Sequence, residues 1–362
     1  SVRLYAGRFC SVTTIASNVA VAGGIRYPWE APPETGAALE VAEGILWLRL
    51  PLPMTLDHVN IYALDEGDHW TLVDCGVYSK TSVAIWENLL AGPLRGKPVG
   101  RILLTHHHPD HVGAAGWFMA RGASLWASRT AWALSRMLIL DEEAEATEPA
   151  RAFWRRAGMD GEIYAKRCAE RPFNFADMSH PLPVGYRRVQ QGEVITAAGR
   201  TWDVHVGNGH APEHLTFWSR EDQVILSGDQ ILASISPNIG VMPSEPEADP
   251  LGEWLESCHR FAELAREDQL VLGGHKLPFT GAPTRMRQLI ENHEGALKRL
   301  LQHLAVPKTA VECFPPLFKR TIDGGTYGLA MVEAVAHLNH LLVRGAVTRD
   351  EGPGGAWLWR AV

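Results

Sequence analysis

Residues 103–113 read LLTHHHPDHVG, and within that run His106, His108, Asp110 and His111 put four metal-competent side chains into six residues. Imidazole nitrogens and carboxylate oxygens hold borderline divalent cations at neutral pH, and packing alone does not call for such density. Three further stretches carry one such residue each: His210 in GNGHAPEH, Asp229 in LSGDQIL and His275 in GGHKLPF. Apolar runs precede all four, at Ile102 to Leu104, Val204 and Val206, Val224 to Leu226, and Leu270 to Leu272. Short β-rich runs ended by Gly, Pro or Asn are strand-then-loop signals. Each donor is therefore expected just past the C-terminal end of a strand, and strands of one sheet ending at a common edge would gather them. His106 and His108, two apart on extended chain, face the same way. Pro109 turns the chain toward a helix expected to begin near Val112, which aims Asp110 and His111 at a second position, so one peptide serves two metals.

The His-x-His-x-Asp-His string at His106 to His111, followed by the lone His210, the Gly-Asp pair at Asp229 and the Gly-His pair at His275, resembles the metallo-β-lactamase superfamily. Asp74 in TLVDCG is similar to the acidic residue which that family places on an early strand beneath its metals. The likeness covers roughly Pro28 to Pro283. It implies an α/β (α+β) fold, an αββα sandwich of two mixed sheets with helices outside. Carried over position by position, it implies one metal on His106, His108 and His210, a second on Asp110, His111 and His275, and Asp229 bridging them. Asp74 is then a carboxylate that orients a ligand imidazole. His214, four residues after His210, is a candidate support, and His58 in LDHVNIY is a candidate substrate contact or a hairpin packing residue. His107 lies between ligands, should face the other way and reads as structural. Family members that hydrolyse antibiotics and are similar at the first motif carry Cys or Ser where Asp229 stands, and the flavin-linked di-iron members carry an acidic residue where His108 stands. β-Lactamase action and oxygen reduction are both disfavoured.

The cofactor expectation is two divalent ions. Zinc suits the donors best, and iron, manganese or cobalt fit the same set. Two such cations about 3.5 to 4 Å apart make a shared water acidic enough to supply hydroxide near neutral pH. Asp110 would orient that nucleophile and pass its proton to the leaving group. The leading expectation is a hydrolase of a small ester, lactone or thioester. The alternative is an endoribonuclease-type phosphodiester hydrolase.

A chain of 362 residues with 46% hydrophobic content can bury one large domain and a smaller one. A net charge of -7 and a pI near 6.1 give no general pull toward nucleic acid or anionic membrane, so a small-molecule substrate is favoured over RNA. The five cysteines, Cys10, Cys75, Cys168, Cys258 and Cys313, are scattered and lack CxxC spacing, which suggests a reducing compartment. At the start, Arg3 and Arg8 precede a mildly apolar run to Ile25 in which Ala20-Val21-Ala22 resembles a processing site. Ser11, Thr13, Thr14, Ser17 and Asn18 dilute that run. A non-catalytic extension over residues 1–27 of a cytoplasmic protein is the preferred reading, and no transmembrane helix is expected.

Residues 28–283 then form the catalytic domain, with an insertion over about 130–183. Its apolar run from Ala131 to Leu140 and amphipathic run from Pro149 through Arg155 read as helices, and its large adaptable side chains suit a lid and apolar pocket wall or, equally, a segment that only covers the sheet or makes a dimer contact. A lid of this kind would favour a substrate with an apolar portion. Residues 284–362 change character. Helical runs over Thr284 to Leu304, Lys308 to Phe318 and Thr326 to Val343 precede a hairpin with arms at Ala346 to Arg349 and Ala356 to Ala361. This order is winged-helix-like and resembles the small C-terminal domain of β-lactamase-like endoribonucleases. Ten Lys and Arg against seven Asp and Glu from Thr284 onward favour an architectural role beside the active site over groove binding. A homodimer is the default assembly.

Overall fold

The alternation of buried side chains along each strand sets the layers. In the computed structural model, which describes residues 2–6, 9–13, 20–22 and 24–362, the first sheet is built from β1 (Val2–Ala6), β2 (Phe9–Thr13), β5 (Ala38–Ala42), β6 (Ile45–Pro51), β7 (His58–Asp65), β8 (Trp70–Val73), β9 (Val99–Leu103), β10 (Ser124–Ala127) and β11 (Arg187–Arg188). A separate hairpin joins β3 (Ala20–Ala22) to β4 (Ile25–Tyr27). The order across the first sheet is β11-β10-β9-β8-β7-β6-β5-β1-β2, parallel from β8 to β11 and antiparallel elsewhere. The second sheet, ordered β12-β13-β14-β15-β16, contains β12 (Val194–Ala197), β13 (Arg200–Gly207), β14 (His214–Ser219), β15 (Val224–Gly228) and β16 (Leu270–Gly273), with only β15 and β16 parallel.

Successive residues of a strand point to opposite faces, and the core divides accordingly. Trp47, Tyr62, Leu64, Val73 and Leu103 of the first sheet meet Trp202, Val204, Phe217, Leu226 and Leu272 of the second between the sheets. Their immediate neighbours Leu46, Leu48, Ile61, Leu72 and Ile102 turn outward onto α1 (Lys80–Ala91), α2 (Pro109–Val112), α3 (Ala115–Met119) and α4 (Arg129–Leu140), through Trp86, Leu89, Val112, Phe118 and Ala131. Strands covered on both faces read as near-continuous apolar runs, as ILWLRL does in β6. On the far side of the second sheet, Ile225 and Val271 pack with α7 (Pro250–Leu264), α8 (Ala282–His303) and α10 (Tyr327–Val343). This is the αββα sandwich of two mixed sheets.

The insertion holds α4, α5 (Glu148–Arg156) and a third helix, α6 (Gly161–Ala169). Thr147 and Asp160 cap the last two with side-chain oxygens on Ala150 N and Ile163 N. The segment expected as one helix over Lys308 to Phe318 is shorter, a 3-10 turn at Val311–Cys313 followed by α9 (Phe314–Leu317), because Pro315 and Pro316 offer no backbone N–H to continue a helix from Val311. The chain closes on the hairpin β17 (Val347–Glu351) and β18 (Trp357–Ala361). Among the described residues no helix is long and apolar enough to cross a membrane, and Cys75, Cys168, Cys258 and Cys313 are free thiols. The stretch read as an N-terminal extension contributes β1 and β2 to the first sheet, and Arg26 of β4 exchanges backbone hydrogen bonds with Thr280 at 3.2 and 2.9 Å. The processing-site reading also depends on residues 14–19 and 23, which lie outside the described residues.

Candidate metal centre

Each candidate donor follows a strand end. β8 leads to Asp74, β9 to His106, β13 to His210, β15 to Asp229 and β16 to His275. The donors do not share one sheet edge as expected. They straddle two, because the sheets pack face to face and the C-terminal ends of β8 and β9 lie against those of β13, β15 and β16. The helix after the first motif also starts earlier than Val112. Pro109 occupies its first position, where a missing N–H costs nothing, so Asp110 and His111 belong to α2.

The arrangement brings all seven together. His106 Nε2 lies 3.0 Å from His108 Nδ1, and His106, His108 and His210 present ligand atoms within 4.8 Å of one another. So do Asp110, His111 and His275, and likewise His106, His111 and Asp229. Asp229 lies between the groups: its Oδ2 is 3.4 Å from His210 Nε2 and 3.2 Å from His275 Nε2, and its Oδ1 is 3.4 Å from His111 Nε2. Asp110 Oδ2 reaches His111 Nε2 at 3.4 Å and His275 Nε2 at 3.3 Å.

The outward nitrogen of four of the five imidazoles is already engaged. His111 Nδ1 donates to Asp74 Oδ2 at 2.7 Å, His210 Nδ1 to the Asn238 carbonyl at 2.9 Å, and His275 Nδ1 to the His58 carbonyl at 2.8 Å. Thr105 Oγ1 donates to Asp74 Oδ2 at 2.8 Å and so accepts from His106 Nδ1 at 2.9 Å. An imidazole whose Nδ1–H is taken has only Nε2 left to offer a cation, once any proton there leaves, and those four Nε2 atoms face one another. His111 Nε2, His210 Nε2 and Asp229 Oδ1 are buried without a hydrogen-bond partner. Such orphans are rare unless a ligand answers them, so the donor set fits divalent cations. A side chain at Gly274 would run into Asp229 Oδ1 and come within 2.8 Å of the His111 ring, so only glycine lets the backbone pass here.

Electrostatics match this. Burial, reinforced by neighbouring histidines, holds His106 and His108 well below the usual histidine range, leaving them neutral and able to donate lone pairs. Burial opposes protonation of His111 and His275 too, but Asp229 and Asp110 outweigh it, raising His111 well above its ordinary value and His275 to about 9. Protons on those two rings compensate buried carboxylates, a job a divalent cation does equally well.

Other expected residues support the cluster. Asp74 holds its backbone at φ 62, a left-handed conformation that Asp tolerates better than most side chains, and accepts from Thr105 N, Thr105 Oγ1 and His111 Nδ1. His214 Nε2 accepts from Asp229 N at 3.1 Å and its ring stacks on His106 at 4.6 Å. His58 is buried. Its Nδ1 donates to Asp57 at 2.7 Å and its Nε2 accepts from Lys276 N at 2.9 Å. Nε2 thus fastens the His275 loop and Nδ1 is held by the neighbouring Asp57, which favours the hairpin-packing reading. His107 turns away onto Phe175 of the insertion, with ring centroids 6.2 Å apart. Sequence reasoning missed Thr105, the Asn238 carbonyl, and Asn60, whose Nδ2 donates to the carbonyls of Gly273 and Lys276 at 3.0 and 2.7 Å. The Thr directly before His106 was a readable signal for the first, whereas the other two depend on tertiary approach.

Comparison with known proteins gives the family. The family model described as Metallo-beta-lactamase superfamily matches residues 54–301, and one described as Metallo-beta-lactamase-like, C-terminal domain matches residues 297–362. A solved structure titled as a beta-lactamase domain protein from Burkholderia ambifaria is 34% identical with a TM-score of 0.84, covering 93% of this chain and 98% of that one. A metallo-beta-lactamase family protein from Thermus thermophilus is 31% identical with a TM-score of 0.74, covering 89% of this chain and 100% of that one. The Bacillus subtilis protein named "Probable metallo-hydrolase YqjP" is 24% identical, with 84% of this chain and 94% of its own length covered. The chain belongs to the metallo-beta-lactamase superfamily, a metallo-hydrolase fold with His and Asp clusters that could hold metal ions.

Proposed function

We propose that this protein is a binuclear metal-dependent hydrolase acting on a small ester, lactone or thioester with an apolar portion. The observation that carries this reading is that His111 Nε2, His210 Nε2 and Asp229 Oδ1 are buried at the centre of the cluster without a hydrogen-bond partner. His106, His108 and His210 would hold one ion and Asp110, His111 and His275 the other, with Asp229 between them. Zinc suits these donors best. When bound, such ions supply an acidified water and polarise the oxygen of the scissile bond. The side chains do the rest. Burial works to raise the Asp110 pKa, but His111 and His275 outweigh it and keep the carboxylate ionised. With Oδ2 facing those rings, Oδ1 is the atom left to accept a proton from the attacking water and return it to the leaving group. Phe175, stacked on His107, and the exposed Phe173, 6.1 Å from it, bring apolar side chains of the insertion up to the first motif, and the apolar portion of the substrate rests on that proximity.

The test is a panel of p-nitrophenyl esters, homoserine lactones, acyl thioesters and a labelled single-stranded RNA, each run with and without chelator. Chelator-sensitive cleavage of a carbonyl substrate is expected. Cleavage of RNA alone would replace the carbonyl reading with the phosphodiester one, and turnover that survives complete metal removal would end both.

A further inference from the structure

The loop that leaves Asp229 is clamped from behind by the C-terminal helices. Arg285 of α8 donates from Nε to the Leu232 carbonyl at 2.7 Å and from Nη2 to the Ile235 carbonyl at 2.9 Å. Val241 N donates to the Val332 carbonyl of α10 at 3.1 Å. A Cβ at Gly240 would lie 2.7 Å from Val332 Cγ2, so the backbone is pressed directly onto that helix. At the centre of this stretch stands Asn238, whose carbonyl takes the Nδ1–H of His210 at 2.9 Å. Its side chain donates from Nδ2 to Glu333 Oε2 at 2.8 Å and to the Leu329 carbonyl at 3.2 Å.

We propose that Glu333 is a positioning residue for the metal centre: through Asn238 it fixes the carbonyl that orients His210, and so lets the C-terminal domain set how tightly the ion on His106, His108 and His210 is held. The inference rests on the metal reading of the site. The Leu329 carbonyl sits in the first turn of α10 and is the normal acceptor for the N–H of Glu333 within the helix, so it offers Asn238 only a shared and longer bond. The Glu333 carboxylate supplies the short, charge-assisted one. The Glu333 carboxylate is partly buried, where such a partner offsets lost hydration, and desolvation raises its pKa to about 7 against the opposing pull of Asn238. Acceptors behind a ligand imidazole fix its tautomer and angle, and their loss typically weakens metal binding about 10- to 100-fold.

The experiment is a zinc and cobalt titration of the chelator-stripped full-length chain, with the cobalt visible spectrum reporting the ligand field. It compares wild type, Glu333→Ala, Glu333→Gln, Asn238→Ala and the Glu333→Ala/Asn238→Ala double variant. Glu333→Ala and Asn238→Ala each leave the Asn238 carbonyl in place but free to shift, so each should weaken one of two binding steps by about 3- to 10-fold, below the roughly 10- to 100-fold for losing the acceptor itself, while sparing the other, and the double variant should be no worse than Asn238→Ala. Glu333→Gln, whose amide oxygen still accepts from Asn238, should keep most of the affinity. Wild-type titration curves for Glu333→Ala, or losses that multiply in the double variant, overturn the proposal. Should Glu333→Ala fail to fold, a wild-type curve for Asn238→Ala does the same. A wild-type chain that takes up no ion overturns the metal reading and this inference together, whereas variants that match a two-step wild type overturn this inference alone.

Discussion

Asp110 and Asp229 are both carboxylates among the same imidazoles, yet their surroundings give them different work. Asp229 contacts His106, His111, His210 and His275 from the centre of the cluster, while Asp110 stands at its rim with 17% of its side chain exposed. Asp110→Asn keeps the shape and a donor oxygen but cannot take a proton, so it should lower kcat by about 10²- to 10⁴-fold while metal content stays near that of wild type. Parallel loss of both would make Asp110 purely structural. His275 gives a second prediction, for the metal-free chain. Its folded pKa of about 9 lies above the ordinary 6.5, so protonation stabilises the fold fully below pH 6.5 and that stabilisation fades as pH rises toward 9. Thermal melts of chelator-treated protein should therefore fall across that window, while zinc affinity climbs over the same range as the competing proton leaves. A metal-free melting temperature that rises from pH 6.5 to 9 contradicts the assignment.

At the scale of elements, the strand-to-loop transitions at residues 103–111, 204–210, 226–229 and 270–275 were legible, because apolar runs and the Gly and Pro that end them are local signals. That β9 and β15 belong to different sheets was not, since a two-residue period marks a buried face without saying which sheet carries it. The third insertion helix, α6, escaped for a related reason: none of its residues is buried, so no apolar stripe marks it. The support from Asn60, across the sheets, and from Asn238, between loops of one sheet, joins residues about 30 to more than 200 positions apart, and no sequence period encodes that. The loop from β16 to His275 offers the sharpest element-level prediction. Gly274→Ala places a methyl against Asp229 and His111, and should remove most bound metal from a chain that still melts cooperatively. Full metal occupancy in that variant would mean the loop is less constrained than the contacts imply.

Across the whole molecule, the catalytic sandwich and the C-terminal helices share one apolar core. Trp254 and Phe261 of α7 cluster with Met286 and Leu289 of α8 and with Met331 and Val335 of α10, and Arg285 reaches from the same side into the loop after Asp229. A chain cut after Pro283 would expose that apolar face. Losing several such side chains, at about 2–5 kcal/mol each, exceeds the usual margin of about 5–15 kcal/mol. The truncated chain should thus lack a cooperative melt, and a soluble, two-state fragment would argue that the C-terminal region is dispensable. The central claim is that seven donors from both sheets hold a pair of divalent ions, and elemental analysis of the purified full-length chain tests it most directly. The account predicts close to two equivalents of transition metal per chain, falling to one or fewer in His106→Ala and His210→Ala. Only traces of metal in the wild type after incubation with zinc and desalting would contradict it.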